Sequence, residues 1–329
     1  MSLLIILILV ASLGFDYING FHDTANAIAT VISTRVLSPT AAILMAAVLN
    51  VAGALVATHV ATTIAKGIVD PTKATEVLVL AAVIGAIVWN LVTWVYGIPS
   101  SSSHALIGGL IGAALAKSGP SIVIWKGLLD KVVYPLVGSP IVGFLVAFGV
   151  MSLITLLFAH MHAGKAGNAF RRLQLVSSAL MAFSHGQNDA QKSMGIITLA
   201  LFTNHYIDKA EVPLWVKIAC ACAMGMGTAA GGWRIIKTLG HKIIRLDPVH
   251  GFAAETSGAA VIITASHFGM PISTTHAITA SIFGVGASKR LSAVRWQVAR
   301  SVLVAWVLTI PAGAVMGGVA YKLLSLIWH

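Results

Sequence analysis

Gly97-Ile-Pro-Ser-Ser-Ser-Ser-His104 returns 172 residues later as Gly269-Met-Pro-Ile-Ser-Thr-Thr-His276. A second pattern, Gly20-Phe-His-Asp23, returns after 166 residues as Gly186-Gln-Asn-Asp189. All four stretches interrupt otherwise apolar sequence. Two copies of each polar pattern predict a chain built from two similar halves that contribute to one shared site.

The composition is that of a membrane protein. Hydrophobic residues make up 57% of the 329 residues and charged residues only 9%, whereas a soluble domain carries about 25% charged residues. Long apolar stretches separated by short polar loops predict an all-α polytopic protein in a lipid bilayer, because helices satisfy their own backbone there. The short alternating segments typical of an outer-membrane barrel are missing.

The net charge of +11 does not indicate a nucleic-acid partner. The basic residues cluster in short loops, as the positive-inside rule expects for cytoplasmic loops. These residues are Lys165, Arg171, Arg172, Arg234, Lys237, Lys242, Arg245, Lys289, Arg290, Arg295 and Arg300. A loop with Asp208, Lys209 and Glu211 lacks a basic excess and is a better external candidate.

The chain divides into a first repeat over 1–159, a basic cytoplasmic linker over 160–172 and a second repeat over 173–329. Several apolar runs near the motifs are shorter than the roughly 20 residues that a spanning helix needs. They fall near 3–19, 24–34, 173–183 and 190–203. Discontinuous helices or re-entrant hairpins that meet at a midplane site would explain them. Whether the repeat is parallel or inverted depends on a span count that these runs leave open.

The hydroxyl motifs predict an anion site. Pro99 and Pro271 suit the start of a helix, which places six hydroxyls in two first turns, where backbone N–H groups are free and the helix dipole is positive. The six are Ser101, Ser102, Ser103, Ser273, Thr274 and Thr275. Two such turns facing each other would enclose a tetrahedral oxyanion without a fixed cation. Simple N-capping by serine and threonine is the alternative.

His104 and His276 close the two hydroxyl motifs. An ionisable residue inside a membrane helix is a functional candidate by default, so these two can hydrogen-bond the anion or carry a proton. They can equally donate to a backbone carbonyl and hold the hairpin in shape.

Asp23 and Asp189 are embedded in apolar sequence, so each needs a cation, a donor or a proton. Their neighbours offer the carboxylate, amide and hydroxyl oxygens that hard cations prefer. We expect a coupling site, for Na⁺ or H⁺, formed by Asp23, Asn26, Asn188 and Asp189 and supported by Thr24 and Gln191. Asp16, Asn19, Asp23 and Asn26 would share one helical face unless Gly20 breaks the helix. Helix capping or an internal salt bridge is the alternative.

The two copies differ at one position, because alignment of Asp23 with Asp189 sets Asn26 against Lys192. We hypothesise that the second half has exchanged a bound cation for the Lys192 ammonium. Glu255, in Gly251-Phe-Ala-Ala-Glu-Thr-Ser257, could carry a proton, partner Lys192 or lie at the membrane interface.

With these residues in view, the chain resembles the inorganic phosphate transporter (PiT) family. The resemblance rests on Gly20-Phe-His-Asp-Thr-Ala-Asn-Ala27, Trp89-Asn90, Pro99-Ser-Ser-Ser-Ser-His104, Phe183-Ser-His-Gly-Gln-Asn-Asp-Ala-Gln-Lys192 and Gly269-Met-Pro-Ile-Ser-Thr-Thr-His276. It implies an inverted repeat, a homodimer and symport of phosphate with Na⁺ or H⁺. It assigns cation coupling, and the metal ligands if Na⁺ is bound, to Asp23, Asn26, Asn188 and Asp189, and phosphate binding to the six hydroxyls.

His22 is a departure, since sodium-coupled members carry Gly-x-Asn-Asp in both copies. His22 and Lys192 together resemble the bacterial low-affinity branch, which implies a prokaryotic cytoplasmic membrane, proton coupling and phosphate carried with a divalent metal. We therefore expect a phosphate symporter that works by alternating access, needs no resident cofactor and is not an enzyme. The alternatives are sodium-coupled phosphate symport and a sulfate permease on the same scaffold. An intramembrane hydrolase is disfavoured because adjacent Ser103 and His104 point to different helix faces and no Gly-x-Ser-x-Gly elbow appears. A passive anion channel is disfavoured because buried carboxylates would repel its cargo.

Overall fold

The computed structural model describes residues 2–328, and the secondary structure there is helical apart from an isolated bridge between Val69 and Val123. The side chain of Lys242, predicted to lie in a cytoplasmic loop, is outside the described part. The α-helices are α1 (Leu3–Ser33), α2 (Pro39–Ala54), α3 (His59–Lys66), α4 (Glu76–Tyr96), α5 (Ser102–Ser118), α6 (Trp125–Leu128), α7 (Tyr134–Leu157), α8 (Ala163–Thr203), α9 (Leu214–Ala230), α10 (Trp233–Lys237), α11 (Pro248–His267), α12 (Thr274–Lys289) and α13 (Trp296–Leu324).

Five helical segments within the described residues are long and apolar enough to span a membrane, or seven if each bent pair counts as one span. The predicted all-α polytopic class is therefore confirmed. The bent pairs are α2 with α3, at 66°, and α9 with α10, at 61°. They occupy the same place in the two halves, since each follows the long helix that carries an Asp motif. The order of helices thus repeats along the chain.

The two equivalent long helices, α1 and α8, run in opposite directions. The Ser2 backbone N–H, at the start of α1, donates to the Tyr206 hydroxyl beyond the end of α8 at 3.1 Å. Near the opposite ends, the Thr34 hydroxyl donates to Gln174 Oε1 at 2.9 Å. Between them, Ser193 Oγ donates to Asp16 Oδ1 at 2.6 Å. Antiparallel packing of equivalent helices is the geometry of an inverted repeat.

The Asp motifs lie inside continuous helices, which differs from the predicted breaks near residues 20–23 and 184–189. Gly20 is a point of close helix approach, because a Cβ there would lie 2.4 Å from the Met224 carbonyl oxygen of α9. A Cβ on Gly186 would lie 2.2 Å from the Asn50 carbonyl oxygen of α2. Both glycines therefore let backbones touch, as small residues do in membrane bundles, and neither ends its helix.

The predicted linker 160–172 is an open connection only as far as His162, and α8 begins at Ala163. The segment contains no proline, and its Ala, Lys and Arg residues favour helix. The basic residues of this region therefore lie on the first turns of a 41-residue helix. Arg171 holds this end against α1, since its Nη2 donates to the Arg35 carbonyl oxygen at 2.9 Å.

The hydroxyl motifs do interrupt the helices. Gly97 and Gly269 adopt left-handed backbone conformations, with φ of 64° and 66°, and end α4 and α11. The next helices begin at Ser102 and Thr274. Pro99 and Pro271 therefore lie before the helices, which corrects their predicted place in the first turn. The fixed φ of proline suits an extended connection equally well.

Candidate functional site

The N-termini of α5 and α12 meet inside the protein. Ser103 Oγ donates to the Ile272 carbonyl oxygen at 3.0 Å, and the rings of His104 and His276 have centroids 4.7 Å apart. All of these residues are buried. Two helix starts with free backbone N–H groups thus converge at the place where the hydroxyl motifs predict an anion.

The six predicted hydroxyls divide into caps and free groups. Ser101 Oγ accepts from the His104 N–H at 3.2 Å and Ser273 Oγ accepts from the His276 N–H at 3.1 Å, so these two serines are N-caps, as the capping alternative requires. Ser102 Oγ, in contrast, is buried and has no hydrogen-bond partner among the described residues. Its hydroxyl is therefore available to a ligand.

The two Asp motifs come together across α1 and α8. Asp23, His185 and Asp189 are buried, and each has one potential ligand atom within 4.8 Å of the others. Asp189 Oδ1 accepts from the Lys192 ammonium, and Asp189 Oδ2 accepts from the Thr274 hydroxyl at 3.1 Å. The carboxylate cluster is therefore joined directly to the second hydroxyl motif.

His22 links Asp23 to the first hydroxyl motif. Its Nδ1 lies 2.6 Å from Asp23 Oδ1, and its Nε2 lies 3.0 Å from the Thr93 hydroxyl of α4. The Ser100 hydroxyl donates to the same Thr93 oxygen at 2.8 Å. This histidine, which replaces the asparagine of the second copy, thus partners one buried carboxylate and connects it to the break between α4 and α5.

Two asparagine side chains complete the cluster. Asn26 Nδ2 donates to Thr275 Oγ1 at 2.9 Å, and Asn188 Nδ2 donates to Ser266 Oγ at 2.8 Å. The side-chain oxygens of Asn26 and Asn188 are buried and have no partner among the described residues. With Asp23 and Asp189, they stay the oxygen ligands that the sequence predicts for a cation.

His185 was missed by sequence reasoning, and a chain of hydrogen bonds orients it. Thr228 Oγ1 donates to the Met224 carbonyl oxygen at 2.9 Å, so it accepts from Asn50 Nδ2, also at 2.9 Å. This turns Asn50 Oδ1 toward His185 Nδ1 at 3.0 Å. Because an amide oxygen only accepts, His185 Nδ1 carries the hydrogen of this bond. His185 Nε2 then faces Asp189 Oδ2 at 3.3 Å. The signal was the spacing of four residues between His185 and Asp189 on one helix.

Three predicted residues lie away from the cluster. Thr24 Oγ1 donates to the Gly20 carbonyl oxygen at 2.5 Å and faces α9, and Gln191 Oε1 accepts from the Val60 N–H at 2.8 Å at the start of α3. Glu255 does not partner Lys192. Its carboxylate accepts hydrogen bonds from Thr30 and Ser177 at 2.5 Å and from Gln174 at 3.0 Å. These contacts fasten helices together.

His104 and His276 retain unsatisfied rings. None of their four ring nitrogens has a hydrogen-bond partner among the described residues. The interpretation in which they donate to a backbone carbonyl and hold the hairpin in shape is therefore wrong. His276 stacks on Trp306 of α13, with centroids 3.8 Å apart. The pair is held by ring packing immediately behind the two hydroxyl turns.

The site as a whole combines an anion cradle with a pair of carboxylates that have partners within the chain. The Lys192 ammonium is paired with Asp189 and His22 contacts Asp23, which reduces the repulsion of an anion that enters between the hydroxyl turns. Asp23 is 3% exposed and Asp189 is 0% exposed, so both carboxyls are shielded from solvent. A buried arrangement of this kind can hold an oxyanion and a cation together.

Comparison with known proteins gives the family of the chain. The model of the phosphate transporter family matches residues 19–165 and 158–317. The chain is 50% identical to a probable low-affinity inorganic phosphate transporter of Bacillus subtilis (strain 168), over 99% of this chain and 98% of that one. It is also 50% identical to a protein of the same description in Rhizobium meliloti (strain 1021), over 97% and 96% of the two chains.

A solved structure described as the sodium-dependent phosphate transporter matches with a TM-score of 0.92 and 26% identity, over 99% of this chain and 100% of that chain. This match confirms the predicted fold. The names of the relatives agree with the prediction of a transporter and not an enzyme. The chain is a multi-pass membrane protein that belongs to the phosphate transporter family.

Proposed function

We propose that the protein imports inorganic phosphate by proton symport in the cytoplasmic membrane of a prokaryote. The buried site would open alternately to the two sides of the membrane. The observation that carries the proposal is the ion pair between Lys192 and Asp189, with His22 on Asp23. Both carboxylates of the Asp motifs already have partners within the chain. Two unpaired buried carboxylates would require a bound cation such as sodium to compensate their charge, whereas these two already have partners in the chain.

Phosphate would lie between the N-termini of α5 and α12, where the helix starts offer N–H groups and Ser102 and Thr275 offer hydroxyls. Ser103 and Thr274 line the same turns, but their hydroxyls donate to the Ile272 carbonyl oxygen and to Asp189. Ser101 and Ser273 fix those turns as caps. Because the Thr274 hydroxyl donates to Asp189, the helix turn that would bind phosphate is hydrogen-bonded directly to the carboxylate cluster. A ligand shifts the equilibrium between open states only by binding one of them better, and this bond gives cargo and cation a common contact.

Phosphate could travel as a complex with a divalent metal, the form that the resemblance to the low-affinity branch implies. Asp23, His185 and Asp189 present the atoms that such a metal would contact beside the hydroxyls. The metal is cargo in this proposal. We also propose that the protein works as a homodimer, by analogy with the family.

Sodium coupling is the second candidate. It is favoured by the structural match to a transporter described as sodium-dependent, and by the unpartnered oxygens of Asn26 and Asn188 within the described residues. Sulfate as cargo remains the third, since hydroxyls and helix N-termini recognise any tetrahedral oxyanion.

The deciding experiment is uptake of labelled phosphate into proteoliposomes under an imposed proton gradient or an imposed sodium gradient. Each is run with and without Mg²⁺ and with excess sulfate as competitor. Proton-driven uptake that Mg²⁺ increases and sulfate does not suppress is expected. Uptake driven by sodium alone would refute proton coupling, and transport of sulfate without phosphate would refute the cargo.

A further inference from the structure

A buried polar stripe on α1 extends beyond the site described above. Six residues of this helix recur at steps of three or four and form one buried polar stripe: Ser12, Asp16, Asn19, Asp23, Asn26 and Thr30. The stripe continues past the Asp motif toward the helix start. Asp16 lies seven residues before Asp23, which is about 10 Å along a helix with a rise of 1.5 Å per residue.

Asp16 differs from the other buried carboxylates in what surrounds it. Its Oδ1 accepts from Ser193 Oγ at 2.6 Å, while its Oδ2 has no hydrogen-bond partner among the described residues. Asp189 has Lys192, Asp23 has His22, and both oxygens of Glu255 receive donors. Asp16 thus has neither a basic side chain in contact, as Asp23 and Asp189 have, nor donors on both of its oxygens, as Glu255 has.

The surroundings of Asp16 offer no counter-ion among the described residues. The titratable groups that face it are the Cys220 thiol from α9 and, from α8, Asp189 and Lys192, and Lys192 is already paired with Asp189. No titratable side chain lies on α2, and those of α4 lie at its two ends, at Glu76 and Tyr96. A thiol is a poor ligand for a hard cation such as Na⁺, which prefers oxygen.

Neighbouring polar groups can serve a protonated carboxyl. Ser12 Oγ and both side-chain polar atoms of Asn19 are buried without partners among the described residues, and they lie one turn from Asp16 on the same helix face. A protonated carboxyl needs an acceptor for its O–H, and the Asn19 amide oxygen is one. An ionised Asp16 would instead leave an unpaired charge in a buried place.

We infer that Asp16 holds the proton that is transported with phosphate. The inference rests on the proposed function and names the group that performs its coupling. The proton binds Asp16 from one side of the membrane and leaves to water on the other, with no other bond made or broken. Release is favoured only when the α1 stripe is hydrated, because the bare carboxylate then gains water in place of the missing counter-ion. Proton release is thereby tied to opening of the site.

Asp16→Asn tests the inference, because it keeps the size of the side chain and an oxygen that can accept from Ser193 but removes the ionisable group. The purified protein is placed in proteoliposomes that contain a pH-sensitive dye. Two assays are run on the same vesicles: phosphate accumulation driven by a pH gradient, and exchange of labelled for unlabelled phosphate at equal pH. Asp208→Asn, which removes an exposed carboxylate, is the control, and Asp16→Glu should restore coupling.

For one proton per phosphate, a gradient of one pH unit drives about tenfold accumulation in the wild type. Asp16→Asn should retain exchange but show no accumulation and no acidification of the lumen. The inference would be overturned if Asp16→Asn accumulated phosphate as well as the control does. It would also be overturned if Asp16→Asn lost both exchange and accumulation. Failure of the wild type to accumulate phosphate under the pH gradient would refute the proposed function itself.

Discussion

Removal of Lys192 should convert the second half of the site into a cation site. Lys192 is 0% exposed and its ammonium donates to Asp189. Lys192→Ala leaves that carboxylate buried without its charge partner, and breaking one side of a buried ion pair costs about 3–5 kcal/mol. The space vacated by the ammonium lies beside Asp189. The side-chain oxygen of Asn188, the residue before Asp189, is also buried without a partner among the described residues. A monovalent cation is the natural replacement.

The size of the expected cation effect follows from linkage. A cation present at 100 times its dissociation constant stabilises the folded state by about 2.7 kcal/mol, which would recover much of the loss. Thermal unfolding of purified protein is measured in NaCl, LiCl and choline chloride at equal ionic strength. Lys192→Ala should unfold at a lower temperature than wild type in choline, and sodium should raise its midpoint while leaving that of the wild type unchanged.

The matched control is Lys192→Arg, which keeps a positive charge near Asp189 and should not respond to sodium. Phosphate uptake is measured on the same variants, and Lys192→Ala should require added monovalent cation or gain rate from it. A Lys192→Ala protein that is fully active and indifferent to every cation would show that the ammonium does not stand in for a bound ion. The explanation for the difference between the two Asp copies would then be wrong.

The remaining predictions concern the cradle, the helix crossings and one helix cap. Ser102→Ala should raise KM for phosphate about 10- to 100-fold with an unchanged unfolding temperature, since a hydrogen bond to a charged ligand contributes about 1.5–3 kcal/mol; Ser101→Ala, which removes a cap, should also lower stability by about 1 kcal/mol. Gly112→Ala should prevent stable folding in a fluorescence size-exclusion assay, because its Cβ would lie 1.9 Å from a carbonyl oxygen of α13, whereas Gly149→Ala, with nothing within 4 Å, should behave as wild type. Asp247 caps α11 ahead of its apolar run. Burial raises the pKa of its carboxyl, but hydrogen bonds from His250 and Val249 in the first turn of the helix outweigh burial, so the pKa lies below its ordinary value. A depressed carboxyl pKa gives stability that is complete above the ordinary pKa and lost as pH falls through the folded one, so Asp247→Ala should cost about 1 kcal/mol at pH 7 and should flatten the acid limb of the unfolding curve.

Much of the architecture was predictable because each motif carries its own physical requirement. A Pro-x-Ser-x-x-His stretch after a glycine ends one helix and caps the next, and both copies do so through Ser101 and Ser273. Hydropathy alone gives the membrane class. The pairing of carboxylate and lysine also follows from spacing, since Asp189 and Lys192 lie three residues apart on one helix.

Other features could not be predicted because they depend on neighbours far along the chain. A break of α1 at Gly20 was one of two alternatives, and the sequence could not decide between them because the role of Gly20 is set by the Met224 backbone about 200 residues later. The orientation of His185 depends on Asn50, which no local pattern connects with it. Glu255 finds three donors on α1 and α8, and only the folded bundle brings them to it.

The contrast between broken and unbroken helices follows from the two kinds of charge that the site holds. An oxyanion is bound by free N–H groups, and a helix offers those only where it begins, so the hydroxyl motifs must lie at breaks after Gly97 and Gly269. Carboxylates that are paired within the chain need no free backbone, but they need partners at fixed spacing. A continuous helix supplies that spacing, which places Asp189 three residues from its lysine. Insertion of a single alanine between Asp189 and Lys192 should therefore separate the pair by rotating it about 100° and abolish phosphate transport.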